Sequence, residues 1–312
     1  MNQLKWGFIG SIEKARTFLS DIQYATYPHH LYVLLTIDDT PERLPDVETF
    51  TDLHQFLQSD MDAVYIASPY AMHYAQAKQC LLYGKAVLCE RPVTRTAEEL
   101  QHLMRLSEHN HTFLMEAMWI RFLPTIKKVL SLISSSAIGE IVSVKASLNY
   151  KDDSTEVQLP TSGGALFELG IYPVFLCTLL LGKPEYVQAS GRLTENGKDE
   201  FFSAFLSYEN GQYGFIETNK LARGVSSAVI NGERGAIQIK NPWSAKPEGI
   251  EVDFNDGTKV LHKSEWKGMG LYFELDEVYE SLQQEGIESQ LYCQHFSLDV
   301  MQTLDEIRRQ LT

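Results

Sequence analysis

Lys85-Ala-Val-Leu-Cys-Glu-Arg-Pro92 is the stretch whose reading decides the fold. Ala86 to Cys89 form a short uninterrupted apolar run, the pattern of a strand buried on both faces in a parallel sheet. Glu90 and Arg91 follow it directly. In open α/β sheets ligands lie just outside the carboxyl ends of the strands, so these two charges mark a candidate ligand edge. Pro92 restricts Arg91 to an extended backbone and keeps both side chains on a stiff exit.

Working outward from this strand, the same logic repeats on either side. Leu4 to Ile9 reads as a strand, and Gly10-Ser-Ile-Glu-Lys-Ala15 as a turn into a helix carrying Phe18, Leu19 and Ile22. Leu31 to Ile37 is a strand ending in Asp38-Asp39, and Ala63 to Ala67 another, ending in Ser68-Pro69 before a helix over 71–83. Thr96-Ala-Glu-Glu99 has the spacing of a capping box and starts the next helix. Phe113 to Ala117 supplies a last strand. Alternating strands and helices predict an α/β first domain over residues 1–119, its parallel sheet covered on both faces.

Past a helix over Pro124 to Ser134 the periodicity changes. Val142, Val144, Ala146, Leu148 and Tyr150 alternate with polar neighbours, as in a sheet with one wet face. Further strands are expected at Tyr186 to Leu193, Phe201 to Tyr208, Tyr213 to Asn219, Ser226 to Ile230, Ala236 to Ile239 and in a hairpin around Asn255-Asp-Gly257, with turn signals at Glu209-Asn-Gly211 and Asn231-Gly232. Helices are expected over Ala165 to Leu181, Leu271 to Gln284 and Phe296 to Leu311. The second domain, residues 120–312, is therefore α+β with a large, mostly antiparallel open sheet, and its last helix can pack back near the junction between domains. An apolar sheet face left uncovered predicts a homodimer through that sheet, unless the domain's own helices cover it.

Composition narrows the partners. The 312 residues carry 41 acidic and 27 basic side chains, a formal charge of −14, without a lysine or arginine cluster to grip phosphates, which argues against nucleic acid. No apolar run is long enough to span a membrane and no signal-peptide pattern opens the chain, so a cytoplasmic protein is expected. Cys80, Cys89, Cys177 and Cys293 stand far apart and no histidine pair has ligand spacing; buried thiols are expected, and no metal.

Four places offer chemistry. At the Gly10 turn, Gly10 and Ala15 fit a dinucleotide fingerprint, but Ile12 stands where the backbone normally approaches the pyrophosphate; a plain βα turn is the other reading. Asp38 and Asp39 can accept hydrogen bonds from ribose hydroxyls and would repel a 2′-phosphate, so NAD is expected over NADP; an Asx-type turn is the alternative. Pro69 and His73 follow the next strand, His73 either facing the cofactor or bonding locally. Finally, Glu168 and Tyr172, four residues apart on one helical face, can orient a substrate hydroxyl and pass a proton, as alcohol-to-carbonyl hydride transfer requires; a buried tyrosine beside a capping acid is the other reading. Arg91 can hold an anion but cannot act as a base.

Lys5-Trp-Gly-Phe-Ile-Gly10, Ala67-Ser-Pro69 with His73, Gly84 to Pro92, Glu116-Ala-Met-Trp-Ile-Arg-Phe122 and Gly163-Gly-Ala-Leu-Phe-Glu-Leu-Gly-Ile-Tyr-Pro173, in this order, resemble the Gfo/Idh/MocA oxidoreductase family over nearly the whole chain. The nearest branch is the one containing dihydrodiol dehydrogenases and glucose-fructose oxidoreductase. The resemblance implies an N-terminal Rossmann domain binding NAD or NADP, a C-terminal open-sheet domain, dimers through that sheet, and sugar, polyol or cyclic diol substrates. The family's Glu-Lys-Pro lysine falls on Arg91, its aspartate on Glu168, its central fingerprint glycine on Ile12, and the asparagine or histidine after the Ser-Pro pair on Tyr70; the tyrosine is retained as Tyr172. The implied assignments place the cofactor against Gly10, Ser11, Ile12, Asp38, Asp39, Ser68, Pro69, His73, Glu90 and Arg91. They make Tyr172, Arg91 and Glu168 catalytic, and set Trp119 and Arg121 with Glu168 and Tyr172 on the substrate side. The competing expectation is a non-catalytic relative that senses a sugar or dinucleotide, since the family also has a regulatory member in yeast galactose control.

Overall fold

The computed structural model describes residues 3–38, 42–151 and 163–311. The chain forms two compact units, Met1–Trp119 with Trp266–Leu298, and Ile120–Glu265 with Asp299–Thr312.

The first unit holds β1 (Leu4–Gly10), α1 (Ile12–Ile22), β2 (His29–Thr36), β3 (Glu48–Phe50), α2 (Leu53–Leu57), β4 (Ala63–Ile66), α3 (Tyr70–Leu82), β5 (Ala86–Glu90), α4 (Ala97–His109) and β6 (Leu114–Ala117). The six strands run parallel in the order β3-β2-β1-β4-β5-β6. Ligands in this doubly wound arrangement sit where the strand order reverses, between β1 and β4. Trp6 and Phe8 of β1 meet Phe18 of α1 edge to face at centroid distances of 5.8 and 5.6 Å, which fixes the helix that follows the glycine turn. Losing a fully buried ring such as Phe18 would cost roughly 3–5 kcal/mol. At α4 the Thr96 hydroxyl accepts from the Glu99 N–H (3.2 Å), while the Glu99 carboxylate reaches back to the Arg95 N–H (2.9 Å). The strand β3 and helix α2 escape the sequence reading because three partly exposed residues and a single short turn carry no usable periodicity.

The chain re-enters this unit with α7 (Tyr272–Gln283) and the start of α8 (Gln294–Gln310). Two buried acids receive it. Asp21, fully buried in α1, accepts from the N–H groups of Met269 (2.5 Å), Leu271 (2.6 Å) and Tyr272 (3.2 Å), supplying the cap that the N-terminus of α7 lacks locally. Gly268, at φ +61°, is needed there because a Cβ would collide with the Asp21 carboxylate. Glu116 of β6 accepts from the Val93 N–H (3.0 Å) and from the hydroxyls of Tyr292 and Ser297 (2.6 Å each).

The second unit holds α5 (Pro124–Ser134), β7 (Ile141–Asn149), a π-helical turn (Leu166–Gly170), α6 (Ile171–Leu181), β8 (Tyr186–Leu193), β9 (Asp199–Ser207), β10 (Tyr213–Asn219), β11 (Ser227–Gly232), β12 (Gly235–Lys240), β13 (Gly249–Phe254) and β14 (Lys259–His262). Its eight strands run β14-β13-β12-β11-β7-β10-β9-β8, antiparallel except for the β7–β10 pair. Alternation decides the faces: Phe202, Ala204 and Leu206 are buried while Phe201 and Phe205 point outward with Phe215. Asn231-Gly232 lies inside β11 instead of forming the turn. Gly232 packs against the backbone of Ile138, where no Cβ fits, and the reversal falls on the next two residues. Burial pushes the Cys80 and Cys177 thiols up to about 12, so both are inert packing groups.

Candidate active site

In the first unit the candidate residues gather at the carboxyl ends of β1, β4 and β5. Gly10 is required: a Cβ there would lie 2.8 Å from the Phe8 ring and 3.2 Å from the Ala67 carbonyl oxygen. Ser11 caps α1, its hydroxyl accepting from the Lys14 N–H (3.3 Å), and the Lys14 ammonium donates to the Ala67 carbonyl (2.8 Å), a tie between the β1 and β4 turns that sequence reading did not single out. The Ile12 side chain is buried, and its N–H donates to the Asp38 carboxylate at 2.7 Å. Asp38 therefore serves the glycine turn. Asp39 lies outside the described residues.

Beside this turn is an open cleft of about 970 Å³, walled by Ile37, Pro69, Met72 and Tyr74 and bordered by Thr36 and Lys78. Apolar walls with a few polar groups suit a planar base and its ribose. Ser68 donates to Gln76 Oε1 at 2.5 Å. His73 is buried with both ring nitrogens 2.8 Å from backbone carbonyls, those of Pro92 and Ser68. Burial holds its pKa below the ordinary value against the pull of those carbonyls. Of the two roles considered for His73 the geometry has the local one, stapling the exit of β5 to the exit of β4.

At the end of β5 the Arg91–Pro92 peptide is cis. Glu90 Oε1 accepts from Tyr65 Oη at 2.8 Å, and burial, reinforced by the Glu90 charge, pushes the phenol well up. Glu274 of α7 is fully buried, with no hydrogen-bond partner for either carboxyl oxygen among the described residues. Burial first, then the charges of Glu90 and Asp21, drive its pKa well above the carboxylate range, favouring the protonated acid. Arg91 and Trp119 are half-buried and Arg121 is buried.

In the second unit the helix expected from Ala165 passes through a π turn over Leu166–Gly170 and continues as α-helix from Ile171. Glu168 and Tyr172 lie on either side of that change. Glu168 Oε1 accepts from the Gly163 N–H at 2.8 Å, and Oε2 pairs with the ammonium of Lys220, which follows β10. Asp199 accepts from the Leu166 N–H, and Gly164, at φ +70°, leaves the space its carboxylate fills. Burial raises the Asp199 pKa and the Glu168 charge adds to it. Tyr172 is nearly buried, its ring stacked on Trp243 at 6.1 Å and 28°, and Trp243 is held by a 2.7 Å bond from its indole N–H to the Ser147 carbonyl. Lys220 and Trp243 were not singled out from sequence. A lysine placed straight after an alternating strand was the one available signal for the first; nothing local marks the second.

A doubly wound sheet with a glycine turn after its first strand, joined in one chain to an open sheet carrying a Glu–Tyr pair, defines an oxidoreductase that uses a dinucleotide. The chain belongs to the Gfo/Idh/MocA oxidoreductase family: residues 4–118 match the oxidoreductase family with an NAD-binding Rossmann fold, and residues 126–238 match the GFO/IDH/MocA C-terminal domain. It is 28% identical over 329 residues to the trans-1,2-dihydrobenzene-1,2-diol dehydrogenase of Xenopus tropicalis, covering 98% of each chain. It is 29% identical over 273 residues to scyllo-inositol 2-dehydrogenase (NADP(+)) IolU of Bacillus subtilis, covering 84% of this chain and 82% of that one. Among solved structures, KijD10, a 3-ketoreductase from Actinomadura kijaniata, shares the fold with a TM-score of 0.87 at 19% identity, covering 99% of this chain and 98% of the other.

The expected preference for NAD over NADP does not stand. KijD10 is seen in complex with NADP, and IolU bears NADP(+) in its name. Of the two residues on which the preference rested, Asp38 directs its carboxylate to the Ile12 N–H and Asp39 lies outside the described residues. The non-catalytic alternative gives way to the enzyme reading that the family carries.

Proposed function

We propose that this chain is an NADP(H)-linked dehydrogenase or ketoreductase of a cyclic diol, polyol or sugar, working as a homodimer. The observation that carries the reading is the Glu168–Tyr172 pair, with Glu168 held by two donors and Tyr172 stacked on Trp243. Relatives acting on a dihydrobenzene diol and an inositol point to ring hydroxyls with a hydroxyl neighbour. Gly10, Ser11, Ile12, Ser68, Pro69, Glu90 and Arg91 are the residues that would hold the coenzyme, with the cleft walled by Ile37, Pro69, Met72 and Tyr74 taking its base. Bound coenzyme supplies or accepts the hydride.

Tyr172 takes the proton from the reacting hydroxyl in oxidation and returns it in reduction. Glu168 accepts from a substrate hydroxyl and sets its direction. Arg91 contributes a fixed positive charge, and His73 keeps the β5 exit in place for Glu90 and Arg91. Trp119 and Arg121 are assigned to the substrate side. Tyr213, Phe205 and Phe215, packed together on the outward sheet face, are the apolar patch through which a second copy would bind.

Titration with NADPH and NADH by fluorescence, followed by turnover assays on a trans-dihydrodiol and on scyllo-inositol, tests the proposal. Micromolar NADPH binding with turnover on either substrate supports it; absence of binding by both coenzymes up to millimolar overturns it.

A further inference from the structure

We infer that Lys220 is a positioning residue that fixes Glu168 as a two-oxygen acceptor for the adjacent hydroxyls of a vicinal diol, and that it thereby sets the preference for diols over lone alcohols. The inference rests on the proposed reading that Glu168 faces substrate. Its observation is an asymmetry within one ion pair: the Lys220 side chain is 5% exposed and the Glu168 side chain 34%. A lysine gives up its water only against a partner that stays charged and in place. Here the cation sits inside and the carboxylate opens outward.

The donors on Glu168 are divided between its two oxygens. The Gly163 N–H occupies one acceptor site on Oε1, and the Lys220 ammonium one on Oε2. A carboxylate oxygen has about two acceptor sites, so each oxygen keeps one for a ligand. Two parallel acceptor sites on one planar group match two neighbouring O–H donors, whereas a lone hydroxyl satisfies one of them. A single donor from the protein would leave the carboxylate free to swivel. Both together set its plane.

The surroundings make the lysine necessary. Asp199, whose pKa burial has already raised, is the other carboxyl bound into the same turn, at the Leu166 N–H, and the charge of Glu168 opposes its ionisation. Without the ammonium, Glu168 faces that second acid with only the Gly163 N–H to hold it. The lysine arrives from the end of β10, where its own N–H is anchored on the Glu200 carbonyl at 2.9 Å. It is thus a separate element from the β5 exit, where the family lysine is replaced by Arg91.

The test compares the unmodified chain with Lys220→Met, which keeps length and loses charge, and Lys220→Arg, which keeps charge. Each is assayed at saturating NADP+ with trans-cyclohexane-1,2-diol and with cyclohexanol. A charge-assisted hydrogen bond supports roughly a tenfold or greater rise in the diol KM for Lys220→Met. The cyclohexanol KM should change less than about threefold, the NADP+ KM should not move, and Lys220→Arg should restore diol binding. Equal losses on both substrates, or an unchanged diol KM, overturn the inference. Should Lys220→Met fail to fold by circular dichroism, Lys220→Gln takes its place and must show the same selective loss. If the unmodified chain turns over neither compound, the oxidoreductase reading is decided by the coenzyme titration above, and Lys220 is judged by calorimetric titration of scyllo-inositol: binding lost in Lys220→Met and regained in Lys220→Arg sustains it, while equal binding by all three, or none by the unmodified chain, overturns it.

Discussion

Glu274→Gln should make the protein more stable, and increasingly so as the pH rises. Glu274 is fully buried with neither carboxyl oxygen hydrogen-bonded among the described residues, and burial raises its pKa well above the usual carboxylate range. In the unfolded chain the same group titrates near ~4.3. Below that value both states hold the proton and the residue imposes no pH dependence. Above it the unfolded chain ionises while the folded protein stays protonated, so stability drains away at about 1.4 kcal/mol per pH unit until the folded pKa is reached. Glutamine keeps the shape and cannot ionise in either state. Between pH 5 and 7 the variant should therefore gain steadily on the unmodified protein for as long as the folded acid keeps its proton. Urea unfolding at pH 5, 6 and 7 measures this, read from the transition of the first unit. Stability curves that run parallel across that range would show Glu274 ionised in the folded state and would refute the reasoning.

Three further outcomes are expected. Tyr172→Phe should lower kcat by roughly 100-fold or more with NADPH affinity unchanged in a fluorescence titration; an undiminished rate removes the tyrosine from proton transfer. Asp38→Ala removes the acceptor of the Ile12 N–H, so the KM values for NADPH and NADH should rise together by about 3- to 10-fold; a gain in NADPH preference above tenfold would mean that the carboxylate reads the ribose after all. Phe215→Glu places a charge amid Phe205 and Tyr213, and sedimentation should then report a monomer with unchanged circular dichroism; a persisting dimer moves the interface elsewhere.

Much of the fold could be read locally because its causes are local. The apolar run from Ala86, the Thr96 cap and the hairpin around Asn255-Asp-Gly257 all act within a few residues, and each takes its expected form. The site was less legible because side-chain direction is a tertiary property. Ile12 reads as an obstacle to phosphate until the structure shows its side chain buried in the core, and nothing near Asp38 in sequence announces that its carboxylate takes the Ile12 N–H. His73 offers two uses on paper and has both nitrogens turned to carbonyls in the fold. Lys220 and Glu168 are 52 residues apart, with nothing in the intervening pattern to announce their pairing. The packing of the π turn against β7, β9 and β10 makes them neighbours.

The two-segment build of the first unit has a consequence for synthesis. Asp21 leaves the ribosome 248 residues ahead of the first amide it caps, and Glu116 waits 176 residues for Tyr292. Throughout that interval the nascent nucleotide domain carries two acids destined for burial, Asp21 without its three amide donors and Glu116 with the Val93 N–H alone. It closes only after the inserted sheet has emerged, so the later-made domain has the opportunity to fold first. A fragment ended at residue 119 would retain every strand of the parallel sheet and still lack the three amide donors to Asp21 and both hydroxyl donors to Glu116.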